Sequence, residues 1–193
     1  NFAPFCPLRA AVEGPGVLAM VQDAVRNRGF AGVKLYPSMG FRPDDNGGIS
    51  LAHANQRVRR NPPPGRALDQ ALAALYRWCE AEDVPIATHA SHSMGAGPGT
   101  EAYSAPWLWA PVLRAYPRLR VNLAHFGGFG RHNPASWQQQ LGDLMAEDAQ
   151  LFFDTGYWDA AARDHSEAPD GPLPVSRAFL QRFPTAGQRM MYG

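Results

Sequence analysis

The chain has 193 residues, 45% of them hydrophobic, enough to bury a sizeable core as one domain or as a piece of one. Lys and Arg number 18 against 17 Asp and Glu, and the resulting net charge of +1 excludes the basic footprint of a nucleic-acid or membrane-surface binder. The two cysteines, Cys6 and Cys79, form no CxxC pair, and the N-terminus carries no signal-peptide order of residues. Those two facts argue for a reducing, cytoplasmic setting and against a disulfide framework, a cysteine-based zinc site or a membrane anchor.

In chain order, Phe2 to Cys6 predicts a short strand. GVLAMVQDAVRNRG (16–29) follows, with Val17, Met20, Val21, Ala24 and Val25 at helical spacing and Gly29 as a stop. GVKLYP predicts a strand ended by Pro37. ALDQALAALYRWCEAED (67–83) predicts a helix with Leu68, Leu72, Leu75 and Cys79 on one face and Asp69 in its first turns. It leads into the strand PIATHA. APWLWAPVLRAYP (105–117) reads as a helix, with Pro106 near its start and Pro117 beyond its end. Then come the strand RVNLAH, the helix SWQQQLGDLMAED, the strand QLFFDTGY, the helix VSRAFLQRFP and the strand QRMMYG. Six strands separated by helices imply parallel pairing through right-handed crossovers, an α/β fold. NFAPFC starts inside a strand and QRMMYG stops just after one, so the chain reads as an internal piece of a longer domain.

A doubly wound sheet and a (β/α)8 barrel both fit this alternation. No GxGxxG follows the first strand, and GAGPG (95–99) lacks both the spacing and the immediate helix of a dinucleotide loop. The barrel is favoured by where reactive side chains fall. Lys34, His89, His125 and Asp154 each sit in or at the carboxyl end of a different strand, the face on which barrel active sites are built. The loops on that side are long (38–66, 90–105, 155–174), and the returns EDVP and YPRLR are short.

Taken alone, each histidine is most simply a core residue with one satisfied hydrogen bond. The pattern is paired, however: VPIATHAS and LRVNLAHFGG are both apolar runs that close on a histidine. Asp154 reads equally as an acceptor that orients a neighbour and as a substrate contact. His53, His132 and His165 lie in polar loops, as does His92, which alone follows a strand-end histidine by three residues. RPDDNGG (42–48) lacks the ligand spacing of a calcium loop and predicts a turn. QRVRRNPPPG reads as a solvated edge, with Arg59 or Arg60 available to an anionic substrate. Trp107, Trp109, Tyr157 and Trp158 border the loops and suit either the core or the wall of a substrate pocket.

GFAGVKLYP, LYRWCEAEDVPIATHAS, YPRLRVNLAHFGG, LFFDTGY and QRMMYG, in this order, resemble the metal-dependent amidohydrolase superfamily, in its branch of amidohydrolase-related hydrolases and decarboxylases. The resemblance implies a TIM-type (β/α)8 barrel of which residues 1–193 supply about strands three to eight, lacking the first strands and the end of the last. The family opens with His-x-His on strand one and closes with an Asp on strand eight, and neither element occurs here. His89 matches the strand-five histidine, a metal ligand. His125 matches the strand-six histidine, a ligand in binuclear members and a water-orienting or acid–base group in mononuclear ones. Lys34 stands where some members carry a carboxylated, metal-bridging lysine; a substrate-carboxylate contact and a merely polar interior position are its alternatives.

The implied site is therefore metal ligands His89, His125 and Lys34, catalytic groups His125 and Asp154, and substrate contacts Lys34, Tyr36, His92 and Tyr157. The implied cofactor is a divalent metal, zinc first and manganese second, because such ions take imidazole nitrogen and carboxylate oxygen. The implied activity is attack of metal-activated water on an ester, lactone or amide carbonyl. Its alternatives are non-oxidative decarboxylation of an aromatic or unsaturated acid, Schiff-base aldol chemistry on Lys34, and a non-catalytic binding barrel. The expected partner is a small molecule, such as a carboxylic acid, with no nucleic acid or membrane; a homo-oligomer is left open.

Overall fold

A computed structural model of the chain describes residues 1–49, 62–93, 96, 99–128, 136–147, 150–156 and 172–191. Six strands, β1 (Phe2–Pro4), β2 (Gly32–Leu35), β3 (Ile86–His89), β4 (Val121–Ala124), β5 (Leu151–Asp154) and β6 (Met190–Met191), pair in parallel in one sheet. Their spatial order is their chain order, β1 to β6. A doubly wound sheet reverses direction at a switch point, and no such point occurs among the described residues. Right-handed crossovers that always step to the next strand place every helix on one face of the sheet, as a barrel requires.

The strands carry both surfaces in their alternation. Val33, Leu35, Ile86, Val121, Leu123, Leu151 and Phe153 point to the helix layer and are sealed, none more than 1% exposed. The intervening Lys34, Asn122, Phe152 and Asp154 are only half-buried. Period-two alternation thus separates a packed outer core from an inner face that holds polar groups.

Helices α1 (Pro7–Glu13) and α2 (Gly16–Asn27) both lie between β1 and β2. Only the second is expected from periodicity. The first announces itself by Pro7 at its first turn and ends where Gly14-Pro15-Gly16 breaks the chain. In α2, Val17 and Val21 are buried but Met20 is 63% exposed, so the apolar stripe is narrower than the sequence suggests. Gly29 adopts φ 74° just past α2, the left-handed stop its position predicts.

Helix α3 (Gly65–Ala81) buries Leu68, Leu72, Leu75 and Cys79 as its spacing demands. Asp69 does not serve the helix N-terminus. Its carboxylate accepts hydrogen bonds from the main-chain and side-chain nitrogens of Asn46, 2.7 to 3.1 Å away, and pins the RPDDNGG turn. The helix expected over 105–117 is divided into a 3-10 turn, Pro106–Trp109, and α4 (Ala110–Ala115). Pro111 lacks the N–H that would bond back to Trp107 and so interrupts the α ladder. Helices α5 (Ser136–Glu147) and α6 (Pro172–Arg182) complete the layer. Among the described residues no helix is long and apolar enough to cross a membrane.

Cys6 is exposed and Cys79 is buried, and burial pushes the Cys79 thiol well above its ordinary range. A thiol reagent is therefore expected to modify Cys6 in the native protein within minutes and Cys79 only after denaturation. Native titration of both thiols at equal rates would contradict the packing of α3 against the sheet.

Candidate active site

Register places Lys34 opposite Ala87, Ala87 opposite Asn122 and Asn122 opposite Phe152, one row of inner positions. The next row toward the carboxyl ends holds His89, which pairs with Ala124, and Asp154, which closes β5. Because Ala124 takes the inner position, an extended continuation of β4 would turn His125 toward the helices. The backbone turns left-handed instead, with φ 71° at His125, 52° at Phe126, 66° at Gly127 and 70° at Gly128. The His125 ring is thereby brought to 4.8 Å, centroid to centroid, from the His89 ring, at 63°.

Left-handed backbone costs a residue with a Cβ about 1–3 kcal/mol, so two such residues in succession must be held from outside. Two groups hold them. The Phe126 side chain, 1% exposed, packs 5.0 Å from the Phe153 ring and 4.7 Å from that of Phe179. Asp154 Oδ1 accepts from the main-chain N–H of His125 (3.0 Å) and of Gly156 (2.9 Å), while Oδ2 accepts from Asn122 Nδ2 (2.6 Å).

Hydrogen bonds also bear on where each ring carries its proton. Ser91 Oγ lies 3.2 Å from the His92 carbonyl, to which it can only donate, and 3.3 Å from His89 Nε2; with its single proton on the carbonyl, it accepts from Nε2. Nε2 then carries the proton of His89, and Nδ1 carries a lone pair. That Nδ1 is buried and has no hydrogen-bond partner among the described residues. His125 Nδ1 lies 3.2 Å from the Gly156 carbonyl, which fixes the proton there and the lone pair on Nε2. A Cβ on Gly156 would stand 3.1 Å from both Asp154 Oδ1 and His125 Nδ1, so a side chain there would push these two groups from their present positions.

Burial, then the neighbouring His125 and Lys34, pushes His89 down to about 4. Burial also lowers His125, and Lys34 adds to it; the Asp154 charge and the Gly156 carbonyl oppose this without cancelling it. Both imidazoles are neutral at pH 7. Burial lowers the Lys34 ammonium as well, partly offset by Asp154, which marks Lys34 as an inner-face neighbour of the pair.

Tyr36 stacks on His89 at 4.3 Å and 17°, and its hydroxyl lies 2.6 Å from Ser93 Oγ. Further out, Thr100 Oγ1 donates to the Ser38 carbonyl (2.6 Å) and the Arg42 guanidinium lies 5.3 Å over the Tyr103 ring. These contacts join the loops after β2 and β3 into one wall beside His89. The structure thus brings together Lys34, Tyr36, His89, His125 and Asp154. His92 is half-buried next to them and reaches the site through its main-chain carbonyl. Tyr157, with Trp158, His53, His132, His165, Arg59 and Arg60, lies outside the described residues. Trp109 is fully buried against Tyr76 and belongs to the core, while Trp107 is 57% exposed.

Sequence reading missed Ser91, Gly156 and above all Asn122. Asn122 had a legible signal, as the one polar residue inside the apolar strand VNLA, at an inner position.

Two neutral imidazoles with assigned lone pairs, one of them on a buried nitrogen without a partner, are the donor type that zinc-class ions take. Among the described residues no third His, Cys, Asp or Glu joins them in a group able to hold a metal. A catalytic zinc takes three protein ligands, so the pair fits as part of a ligand set.

The chain is similar in structure to an uncharacterized TIM-barrel protein from Bordetella bronchiseptica, with a TM-score of 0.56 at 20% identity, over 92% of this chain and 48% of that one. It is likewise similar to a protein from Lactobacillus casei proposed to be a metal-dependent hydrolase, with a TM-score of 0.57 at 17% identity, over 89% of this chain and 49% of that one. The chain thus spans about half the length of either structure, and what the two share with it is the barrel fold. No curated protein matches it. Residues 2–193, nearly the whole chain, match the Amidohydrolase family, and the chain belongs to that family.

Proposed function

We propose that the protein is a metal-dependent hydrolase acting on an ester, lactone or amide carbonyl of a small molecule. One observation carries the reading: neutral His89 and His125, delivered from adjacent strand ends with ring centroids 4.8 Å apart, with His89 Nδ1 buried and without a partner among the described residues. His89 Nδ1 and His125 Nε2 are the atoms that would hold a divalent metal, zinc before manganese. When bound, such a metal supplies a Lewis acid and a water whose pKa falls to about 7.

The chain's own groups do the rest. His125, its proton fixed on Nδ1 by the Gly156 carbonyl, offers Nε2 either to the metal or to the proton of the attacking water. The Lys34 ammonium, half-buried on the inner face, suits a carboxylate of the substrate. Tyr36 holds the His89 ring in plane, and His92 and Tyr157 are further substrate contacts. The two free cysteines are in keeping with a reducing, cytoplasmic location.

Lys34 also favours a second reading. An amine that binds a carboxylate beside a metal site serves decarboxylation of an aromatic or unsaturated acid equally well. The experiment is metal analysis of the purified protein, followed by chelation and restoration with zinc or manganese. Ester, lactone and amide panels are assayed for hydrolysis, and aromatic acids for carbon dioxide release. Hydrolysis that disappears on chelation and returns with zinc is the expected result. Metal-dependent carbon dioxide release without hydrolysis moves the assignment to the second reading. A metal-free protein whose Lys34 is trapped by borohydride with a carbonyl substrate overturns both.

A further inference from the structure

Among the described residues the Asp154 carboxylate accepts from two main-chain N–H groups on Oδ1 and from the Asn122 amide on Oδ2. Asn122 gives that carboxylate its Nδ2, while its Oδ1 is buried and accepts nothing among the described residues. The pair therefore has a polarity. Asn122 must donate and Asp154 must accept, because Oδ1 of Asp154 is already committed to the N–H groups of His125 and Gly156. Gly156 in turn presents its carbonyl to His125 Nδ1, so Asp154 touches both ends of the segment that orients the ring.

We propose that Asn122 and Asp154 form a polarised clamp that holds the left-handed turn at His125 and so fixes the direction of its imidazole. Both are positioning residues; neither contacts a reacting atom. The proposal rests on the reading that His125 serves a metal-dependent site. The clamp explains why an asparagine occupies an inner strand position one row below Asp154, where an apolar side chain would pack more cheaply. It also explains how two successive residues with a Cβ stay in left-handed backbone.

The polarity makes the idea testable with isosteric variants. Asn122→Asp sets two carboxylates at hydrogen-bond distance and breaks the clamp. Asp154→Asn is milder, because Asn122 rotates its amide and offers Oδ1 to the new Nδ2. The exchange Asn122→Asp with Asp154→Asn restores a donor facing an acceptor, conserves charge and leaves Oδ1 of residue 154 to the two main-chain N–H groups. A role in filling space alone predicts the same outcome for all three.

The readouts, on the intact protein, are the His125 amide and imidazole nitrogen resonances and zinc affinity by competition with a chromophoric chelator. Thermal unfolding checks that each variant folds. In Asn122→Asp the His125 resonances are expected to shift and zinc affinity to fall about 10–100-fold. Both return toward wild type in the exchange variant. Unchanged resonances in Asn122→Asp, or an exchange variant no better than that single variant, overturns the clamp. Should Asn122→Asp fail to fold, the exchange and Asp154→Asn variants decide: folding with wild-type His125 resonances in both upholds the clamp, and displaced resonances in the exchange variant overturn it. If no form binds zinc while the exchange still restores the His125 resonances, the clamp stands and the metal reading fails.

Discussion

On the proposed metal-dependent function, replacing His89 by alanine should remove bound metal and hydrolysis together while leaving the fold in place. The side chain is 6% exposed, and its Nδ1 is a buried acceptor that bonds to nothing among the described residues. A buried polar atom without a partner contributes no stability, so its loss relieves a desolvation cost instead of adding one. What the variant forfeits is the Nε2 hydrogen bond to Ser91 Oγ, the stack on Tyr36 and some packing, about 0.5–1.5 kcal/mol for the ring contact. On the functional side, removing even a residue that only supports a ligand costs about 10–100-fold in metal affinity or activity, and removing a ligand should cost at least as much. Zinc content, turnover and denaturant unfolding of the metal-free protein check this. A variant that keeps its metal and its rate, or one that unfolds outright, shows that His89 was a core histidine.

The fold was legible because its signals are repetitive. Each strand is an apolar run of about the right length, each crossover supplies a helix-period pattern, and the absence of hairpin turns leaves parallel pairing as the solution. What escaped the reading is local. Helix α1 is seven residues long, too short for periodicity to stand out, and only its proline start marks it. The divided segment around Pro106 and Pro111 keeps the apolar spacing of a helix, although proline removes the N–H groups that an α ladder needs. Met20 falls at a helical position of the buried stripe and still faces water, since the width of a stripe is set by what packs against it.

For the site, the sequence indicated which side chains sit at carboxyl ends but not how they are aimed. His125 is the instructive residue. Strand alternation alone would send it to the helix side, and only the left-handed turn through Gly128 returns it beside His89. The FGG that follows His125 is the visible trace of that turn, since two glycines favour positive φ, but it does not say that His125 and Phe126 adopt it too. Asn122 and Ser91 were passed over because their work is to hold other residues. A hydroxyl that settles a tautomer is recognisable only when the atoms it spans are known.

Phe126→Ala should cost stability and site geometry together, and a second variant separates the two. Phe126 is 1% exposed and sits between the rings of Phe153 and Phe179, which themselves meet at 5.6 Å. Deleting a buried phenylalanine costs about 3–5 kcal/mol, a large share of the roughly 5–15 kcal/mol that holds a domain folded. Alanine at this position keeps the unfavourable φ of 52° but loses the ring that anchors it. The turn should then relax toward extended backbone and carry His125 away from His89. Phe179→Ala opens the same aromatic cluster from α6 but leaves Phe126 in the turn, still packed on Phe153. Both variants are expected to unfold at lower denaturant by similar amounts. Zinc affinity, measured where both remain folded, should fall clearly further in Phe126→Ala. Equal loss in the two would mean that zinc binding follows overall stability and that the left-handed turn plays no part of its own.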